Sequence, residues 1–427
     1  MGFIGGVQQQ EFSERFRGKD PERLLAVPID VGKHSAAALV CDFWGEIIVS
    51  PFNFALNESG FKGLTAVLSK AQGDRGSLET RVGLEHAGHY HRNLEARLRA
   101  EGLEVALLNP AQVKENRAQN LLRSLKSDAR DLGAIADLVI RGKGRINREA
   151  GAAIAAQAAL VAHRRRKVKA RSALKCQIHS SLDLVFPGLS GCFKNLIDSK
   201  LGRLLLREGL DPQRVKRLGE DRLRSFCLRR HVRTSRDKAH QVTEAARGAL
   251  LLPEAIAKVH AGNLASDIEL LDHLDKEVAD TEAALAEVLA STPAAILLSL
   301  PRVAVVRASL YGAGVGEPSR FQNAAQVYRL SGLVPKLYES AGTTRTGTAI
   351  SREGKVELRE AILELGKALR HGNADFASYA KQLESRGKKP GVVACALGNR
   401  ANRLAFAMIR DQRPFDDSLW LERTGAS

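Results

Sequence analysis

Four carboxylates stand where a phosphoryl-transfer centre would need them. Asp30 follows the short apolar run Leu25 to Ile29, and Glu85 follows Val82 to Leu84, so each is expected at the end of a strand. Asp128 and Asp131 lie three apart in a helical stretch and project from one face. That face is the apolar one: Leu121, Leu125, Leu132 and Ile135 define its stripe, and Asp128 fills the gap between Leu125 and Leu132. A carboxylate buried there alone is strongly unfavourable, so some positive charge must compensate it. Three readings are open. Arg123 or Arg130 could pair with it, or Asp128 could cap a helix that begins near Ser127. Alternatively the charge is a divalent metal, because Mg²⁺ takes hard oxygen ligands and paired Mg²⁺ ions stabilise both oxygens of an in-line displacement at phosphorus. Mn²⁺ would suit the same ligands. His86, His89 and His91 beside Glu85 share a turn too short to converge on one ion and read as solvent-facing or phosphate-contacting.

Two further groups could meet a nucleic acid. Ser340 to Ser351 is rich in Gly and Thr, and Arg345, Arg352, Lys355 and Arg359 could hold a phosphodiester near a hydroxyl. On residue type alone Ser340, Thr343, Thr344 and Ser351 are rival nucleophiles. Arg164, Arg165, Arg166, Lys167, Lys169 and Arg171 fall within three turns of one helix, a density that suits phosphate contact.

The elements that must position these groups form three blocks after a polar, flexible lead-in at 1–23. Leu25 to Ile29, Ala36 to Val40 and Ile47 to Phe52 read as a meander of three antiparallel strands. A helix at Gly60 to Ala71, a strand at Val82 to Leu84, a helix at Asn93 to Ala100 and a strand at Val105 to Leu108 follow. Pro110 then opens one long helix running to about Gly142. This order predicts an α/β RNase H-like (RuvC-like) domain over 24–145. Residues 146–292 read as an all-helical linker. Within it Leu264, Leu271, Val278 and Leu285 fall seven apart and support a short coiled coil, either within one chain or between two, although Asp275 and Glu282 interrupt its second seam. Residues 293–427 read as a mostly α-helical third unit.

Composition bounds the partners. A formal charge of +17, from 65 Lys and Arg against 48 Asp and Glu, suits a polyanion. With 5% aromatic residues, contact through phosphates and duplex shape is favoured over base stacking. The five cysteines are scattered with no CxxC pair, which excludes a zinc-ribbon or disulfide framework and suits a reducing compartment. Met1 to Gln10 carries no signal-peptide pattern and no apolar run reaches the roughly 18 residues of a membrane span, so no membrane partner and a cytoplasmic location are expected.

Several motifs in order resemble a known family. Ile29-Asp30-Val31-Gly32-Lys33, Gly83-Leu84-Glu85-His86-Ala87-Gly88, Asn109-Pro110 and Lys126-Ser127-Asp128-Ala129-Arg130-Asp131 are similar to the four-part DEDD signature of the insertion-sequence 110 transposases, the bridge-RNA-guided DNA recombinases. Ser319-Arg320-Phe321, Tyr328 to Pro335, Tyr338-Glu339-Ser340 and Pro414-Phe415-Asp416 resemble that family's C-terminal transposase domain. The resemblance spans about 24–145 and 294–416. It implies a RuvC-like domain holding Mg²⁺ on Asp30, Glu85, Asp128 and Asp131, and a second domain whose serine, here Ser340, attacks a DNA phosphate. It also implies donor and target DNA, a noncoding bridge RNA, a homo-oligomer (a dimer, or a tetramer built as a dimer of dimers) with metal and serine from different subunits, and a place at the prokaryotic nucleoid. Two departures stand out. Pro301-Arg302-Val303-Ala304 replaces a Pro-Gly-Ile-Gly-like hairpin and loses the freedom of both glycines. Pro28 lies in what should be a central strand, so a bulge or an end to pairing is expected there.

The leading expectation is thus a transposase or recombinase working through Ser340 with RNA guidance. A metal-dependent nuclease or junction resolvase using the carboxylates and water is the alternative. A basic nucleic-acid-binding assembly protein with structural carboxylates is a third.

Overall fold

The first strands form the meander that their short apolar runs call for: β1 (Leu24–Val31), β2 (Ser35–Asp42) and β3 (Ile47–Ala55), preceded by a helix α1 (Gly6–Phe16). Then come α2 (Glu58–Arg75), β4 (Glu79–Glu85), α3 (His91–Ala100), β5 (Glu104–Leu108), α4 (Pro110–Asn120), α5 (Asp128–Ile140) and β6 (Arg145–Ile146). The sheet order is β3-β2-β1-β4-β5-β6, with β1, β4 and β5 parallel and the outer pairs antiparallel. This is a mixed α/β sheet of the DEDD RNase H-like type. In the computed structural model residues 6–86, 88–120, 128–146, 151–336, 339–340, 343–344 and 349–416 are described; the side chains of 6–8, 120, 128–129, 339–340 and 343–344 are not.

Two cores flank the sheet. Leu25, Val27 and Ile29 of β1 with Val82 and Leu84 of β4 pack toward Leu64, Leu68, Leu94 and Leu98 of α2 and α3. Ala26 faces the other way, toward Leu132, Ile135, Leu138 and Val139 of α5. The described half of the apolar stripe is therefore buried as expected, whereas Leu121 and Leu125 lie outside the described residues.

Three expectations for this unit are corrected. Pro110 does not open one helix to Gly142. Asn116 of α4 donates to Asp137 of α5 at 2.6 Å, while a continuous helix would hold residues that far apart in sequence about 30 Å from each other. Residues 6–16 are not a flexible lead-in: Phe12 and Phe16 stack with Phe43, and Arg15 and Lys19 pair with Glu79. Nor does Pro28 stop its strand. Its register with β4 is unbroken, Pro28 opposite Gly83, and pairing with β2 resumes at Ile29 in the register it had at Ala26.

The second compact unit, 150–427, is mostly helical. Its helices are α6 (Ala152–Val185), α7 (Lys200–Arg207), α8 (Pro212–Leu228), α9 (Arg236–Gly248), α10 (Glu254–Leu289), α11 (Val305–Val315), α12 (Ala324–Leu330), α13 (Val356–Gly372), α14 (Ala374–Ser385) and α15 (Pro390–Asp411). A small hairpin of β7 (Glu339–Ser340) and β8 (Thr343–Thr344) lies between α12 and α13. The heptad residues Leu264, Leu271, Val278 and Leu285 are buried on α10, which packs along α6 of the same chain. Asp275 and Glu282 do not weaken this pairing, because Arg171 and Arg203 neutralise the first and Arg164 the second. Two cores divide the unit, one around α7 to α9 and the other uniting η-turn residues Ala294 and Leu297 with α11 to α15.

One buried cation ties the first unit together. Arg81 of β4 is 1% exposed, donates to the carbonyls of Val139 (2.8 Å) and Lys143 (3.2 Å), pairs with Glu104 at 2.8 Å and lies 4.6 Å from the Phe12 ring. Arg81→Leu would leave these acceptors without their donor, so a loss of about 3 kcal/mol in urea unfolding is expected, and a loss below about 1 would show that other contacts hold α5. Acid should act on α1. Burial pushes Glu79 upward, but hydrogen bonds from Lys19 and Arg15 outweigh it and hold the carboxyl below its usual value. The stabilisation is complete above the ordinary Glu range and is lost as pH falls through the depressed folded value. Hydrogen exchange of α1 amides, corrected for intrinsic rates, should lose protection on that descent while α5 stays protected.

Candidate functional site

The parallel register sets Ile29 opposite Leu84, so the next residues, Asp30 and Glu85, are neighbours at the carboxyl ends of adjacent strands. Both are half-buried. Because strand side chains alternate, both lie on the face of Ala26 and Gly83, which is the α5 side. Gly83 is what allows α5 so close: a Cβ there would lie 2.2 Å from a Val139 methyl and 3.1 Å from an Ile135 methyl.

The path of α5 follows from these contacts. Arg81 meets Val139 and Lys143, and Gly83 meets Ile135 and Val139. Two strand residues advance roughly 6.6 Å and four helical residues roughly 6 Å. One further step brings Glu85 beneath the first turn of α5, the turn that carries Asp128 and Asp131. Asp131 is 5% exposed and pairs with Arg117 of α4. A cation from α4, Arg117, thus compensates it, a partner that the sequence reading did not consider; Arg123 lies outside the described residues. The carboxylate of Asp128 lies outside the described side chains. Among the described residues no group of three or more His, Cys, Asp or Glu side chains is gathered as a metal cage. Asp30 and Glu85 are the described pair that offers oxygen ligands side by side, and the donor chemistry of this edge fits a hard divalent ion.

The histidines divide. His91 is 2% exposed at the start of α3, with its ring 4.5 Å from that of His86, so it is a packing residue and not solvent-facing. His89 is exposed and stacks on Tyr90 at 4.3 Å.

In the second unit Ser340 pairs with Thr343 across the β7–β8 ladder, and its side chain lies outside the description, as does all of Arg345. Further down the same excursion Ser351 bonds to Val334, Lys336 to Ala349, and Arg352 to Gly332 through their backbones. Arg359 donates to the carbonyls of Ser331 (2.9 Å) and Arg352 (2.8 Å), and Lys355 reaches that of Gly314 at 3.4 Å. These two cations fasten the base of the hairpin, leaving Arg352 exposed beside it. At the Pro301 turn Arg302 adopts a left-handed φ of 58°, a conformation that favours glycine, and Ala304 is extended.

The basic cluster on α6 is mostly consumed inside the chain. Arg164 pairs with Glu282, Arg165 with Glu357 and Glu360, Lys167 with Glu277 and Arg171 with Asp275. Arg166 and Lys169 are exposed and make no ion pair among the described residues. The spacing that suggested phosphate contact is equally the spacing of an inter-helical ion ladder.

Comparison with known proteins decides the family. A DEDD transposase model of the IS110 group matches residues 27–187, and a model described as "Transposase IS116/IS110/IS902 family" matches 294–381. The chain belongs to the IS110 transposase family. It is similar to the pilin gene-inverting protein of Moraxella lacunata, 28% identical over 132 residues, which are 31% of this chain and 38% of that one. The corresponding Moraxella bovis protein is 27% identical with the same coverage. The transposase for insertion sequence element IS1328 of Yersinia enterocolitica is 27% identical over 35% of this chain and 42% of its own. The alignments thus span about two fifths of each relative. The first IS110 model covers the whole Asp30, Glu85, Asp128 and Asp131 set, and the second covers Ser340. No single helix among the described residues is long and apolar enough to cross a membrane.

The Arg117 pair supplies a test of the edge. Arg117→Ala leaves the buried Asp131 without its cation, and a loss of roughly 3 kcal/mol is expected in chelator. If Asp131 is a metal ligand, millimolar Mg²⁺ should raise the variant's melting temperature more than that of the parent. Equal response in both proteins would leave Asp131 a structural ion-pair residue.

Proposed function

We propose that this protein is a metal-dependent DNA transposase or recombinase that breaks and rejoins strands of an insertion element through a serine-linked DNA intermediate. The observation that carries this reading is the register that places Asp30 beside Glu85 on the face covered by the first turn of α5. Asp30, Glu85, Asp128 and Asp131 would hold Mg²⁺, which when bound supplies Lewis-acid stabilisation of charge on phosphate oxygens. Arg117 then holds the Asp131 carboxylate in place, and Arg81, through α5, holds the helix that carries it.

Ser340 is the proposed nucleophile. Its Oγ forms a bond to phosphorus as the bond to one strand's departing oxygen breaks; the hydroxyl proton leaves to water and the departing oxygen takes one up. The phosphodiester energy is kept in the seryl link and returned when an incoming strand's hydroxyl attacks, which suits exchange better than hydrolysis. Arg345 and Arg352 are the cations proposed to meet the phosphate near it. We further place the protein at the prokaryotic nucleoid in a homo-oligomer whose copies complement carboxylates with serine, guided to donor and target DNA by a bridge RNA. Support for self-association comes from Leu250, Leu251, Ile256 and Val259, all exposed at and before the start of α10.

The test is a covalent trap. Incubation with supercoiled donor and target DNA and copurified RNA should yield a protein–DNA adduct that survives denaturant, vanishes in Ser340→Ala and falls at least about 10²-fold in Asp128→Ala. Full strand cleavage by Ser340→Ala without an adduct would instead favour a water-using nuclease. DNA processing unaffected by Asp128→Ala or chelator would leave the carboxylates structural.

A further inference from the structure

Residues 188–293 are matched by neither family model, yet α7, α8 and α9 close a core with α6 and α10 around Leu205, Val215, Leu223, Phe226 and Val242. The basic side chains around the turn from α8 to α9 fall into two groups. The first builds the turn. Arg230 makes two bonds to Glu208 (2.7 and 2.9 Å) and lies 3.9 Å over the Phe226 ring, Arg224 reaches the Thr234 carbonyl at 3.4 Å, and Lys238 donates to the Cys192 carbonyl.

The second group does none of this. Arg222, Arg229, Arg233 and Arg236 are exposed, and their side chains make no hydrogen bond or ion pair among the described residues. Arg222 and Arg229 stand seven apart, on one face of α8 and its C-cap. Arg233 lies in the turn, and Arg236 opens α9 directly after its Ser235 cap. No Asp or Glu occurs between Asp221 and Asp237 to neutralise them. The contrast with α6 is direct: there Arg and Lys meet acids of α10 and α13, whereas here the fold holds the backbone firmly and leaves the charge to solvent.

We propose that the α8–α9 turn is a grip for the phosphate backbone of duplex nucleic acid. Four planar guanidinium groups on a pinned turn can bind phosphate oxygens without ordering the backbone that carries them. The scarcity of aromatic residues argues for backbone contact and against base stacking. The inference deepens the proposed function by naming where a duplex is held outside the two matched domains, and it rests on that reading.

Salt titration separates the two. In the full chain, binding of short duplex DNA and short duplex RNA of unrelated sequence is followed by anisotropy against NaCl concentration. Each phosphate contact contributes a slope of about 0.9 in log affinity against log salt for duplex DNA, so Arg222→Ala/Arg229→Ala/Arg233→Ala/Arg236→Ala should flatten it by roughly 3 to 4. The Arg→Lys version should keep most of the slope, and the two paired subsets, 222 with 229 and 233 with 236, should each remove about half of the change if the quadruple variant melts early. Flattening confined to one duplex type identifies that duplex as the partner. An unchanged slope in a variant with parental circular dichroism overturns the proposal while leaving the proposed function standing. Failure of the parent to bind either duplex overturns both.

Discussion

The seating of α5, and with it the place of Asp131, depends on a guanidinium that is almost wholly buried. Arg81 reaches from the middle of the sheet to the last turn of α5 and the residues after it, and the charge that would make its burial prohibitive is met by Glu104 on the neighbouring strand and by the Phe12 ring. Desolvation lowers its affinity for a proton, with Glu104 opposing, yet arginine keeps its charge under such pressure where lysine would not. With one end of α5 fixed by Arg81 and its middle seated against Gly83, the helix has a single remaining course, which carries its first turn over Asp30 and Glu85. The docking of α1 belongs to the same arrangement, since Phe12 covers Arg81 and Arg15 shares Glu104 with it.

The chain's excess positive charge is not spread evenly between internal and external uses. On α6 the cations form rungs to α10 and α13, and this explains why Asp275 and Glu282 occupy coiled-coil seam positions that an apolar residue would otherwise fill. A helix pair built this way has its alignment set by charge as well as by Leu264, Ile268 and Leu271. Along the α8–α9 turn Arg222, Arg229, Arg233 and Arg236 make no ion pair among the described residues, so the same residue type has a different consequence.

Much of this was legible from residue patterns. All five long strands lie where short apolar runs placed them, and α2, α3 and the heptads of α10 follow their helical period. What could not be read depended on partners distant in sequence. The helical character of residues 6–16 carries little amphipathic signal, because its docking face consists of two phenylalanines and an arginine that matter only once Phe43, Glu79 and Glu104 are nearby. The separation of α4 from α5 was hidden by a continuous helical propensity from Pro110 onward. For the candidate site, strand-end positions of Asp30 and Glu85 were visible, but their shared register was not, since it requires knowing that β4 pairs with β1 in parallel. Arg117 gave no signal: nothing local marks it as the partner of Asp131.

The two departures from the family pattern show how a residue that breaks a local rule is accommodated by its surroundings. Pro28 lacks a donor, and the absent ladder pairs fall at Val27 and Pro28 on the side of β2, where β2 is itself irregular against β3 between Ala38 and Cys41. Toward β4, where Asp30 must meet Glu85, the register runs on without interruption, so the aim of the carboxylate does not suffer. At the Pro301 turn Arg302 adopts a left-handed backbone, at a strain of roughly 1 kcal/mol. The turn is held from outside, because Gly372 at the end of α13 leaves room for Pro301 and Arg302, and Arg307 donates to the Arg302 carbonyl at 3.2 Å. Packing thus holds a conformation that glycine would adopt freely, and the turn carries an exposed guanidinium.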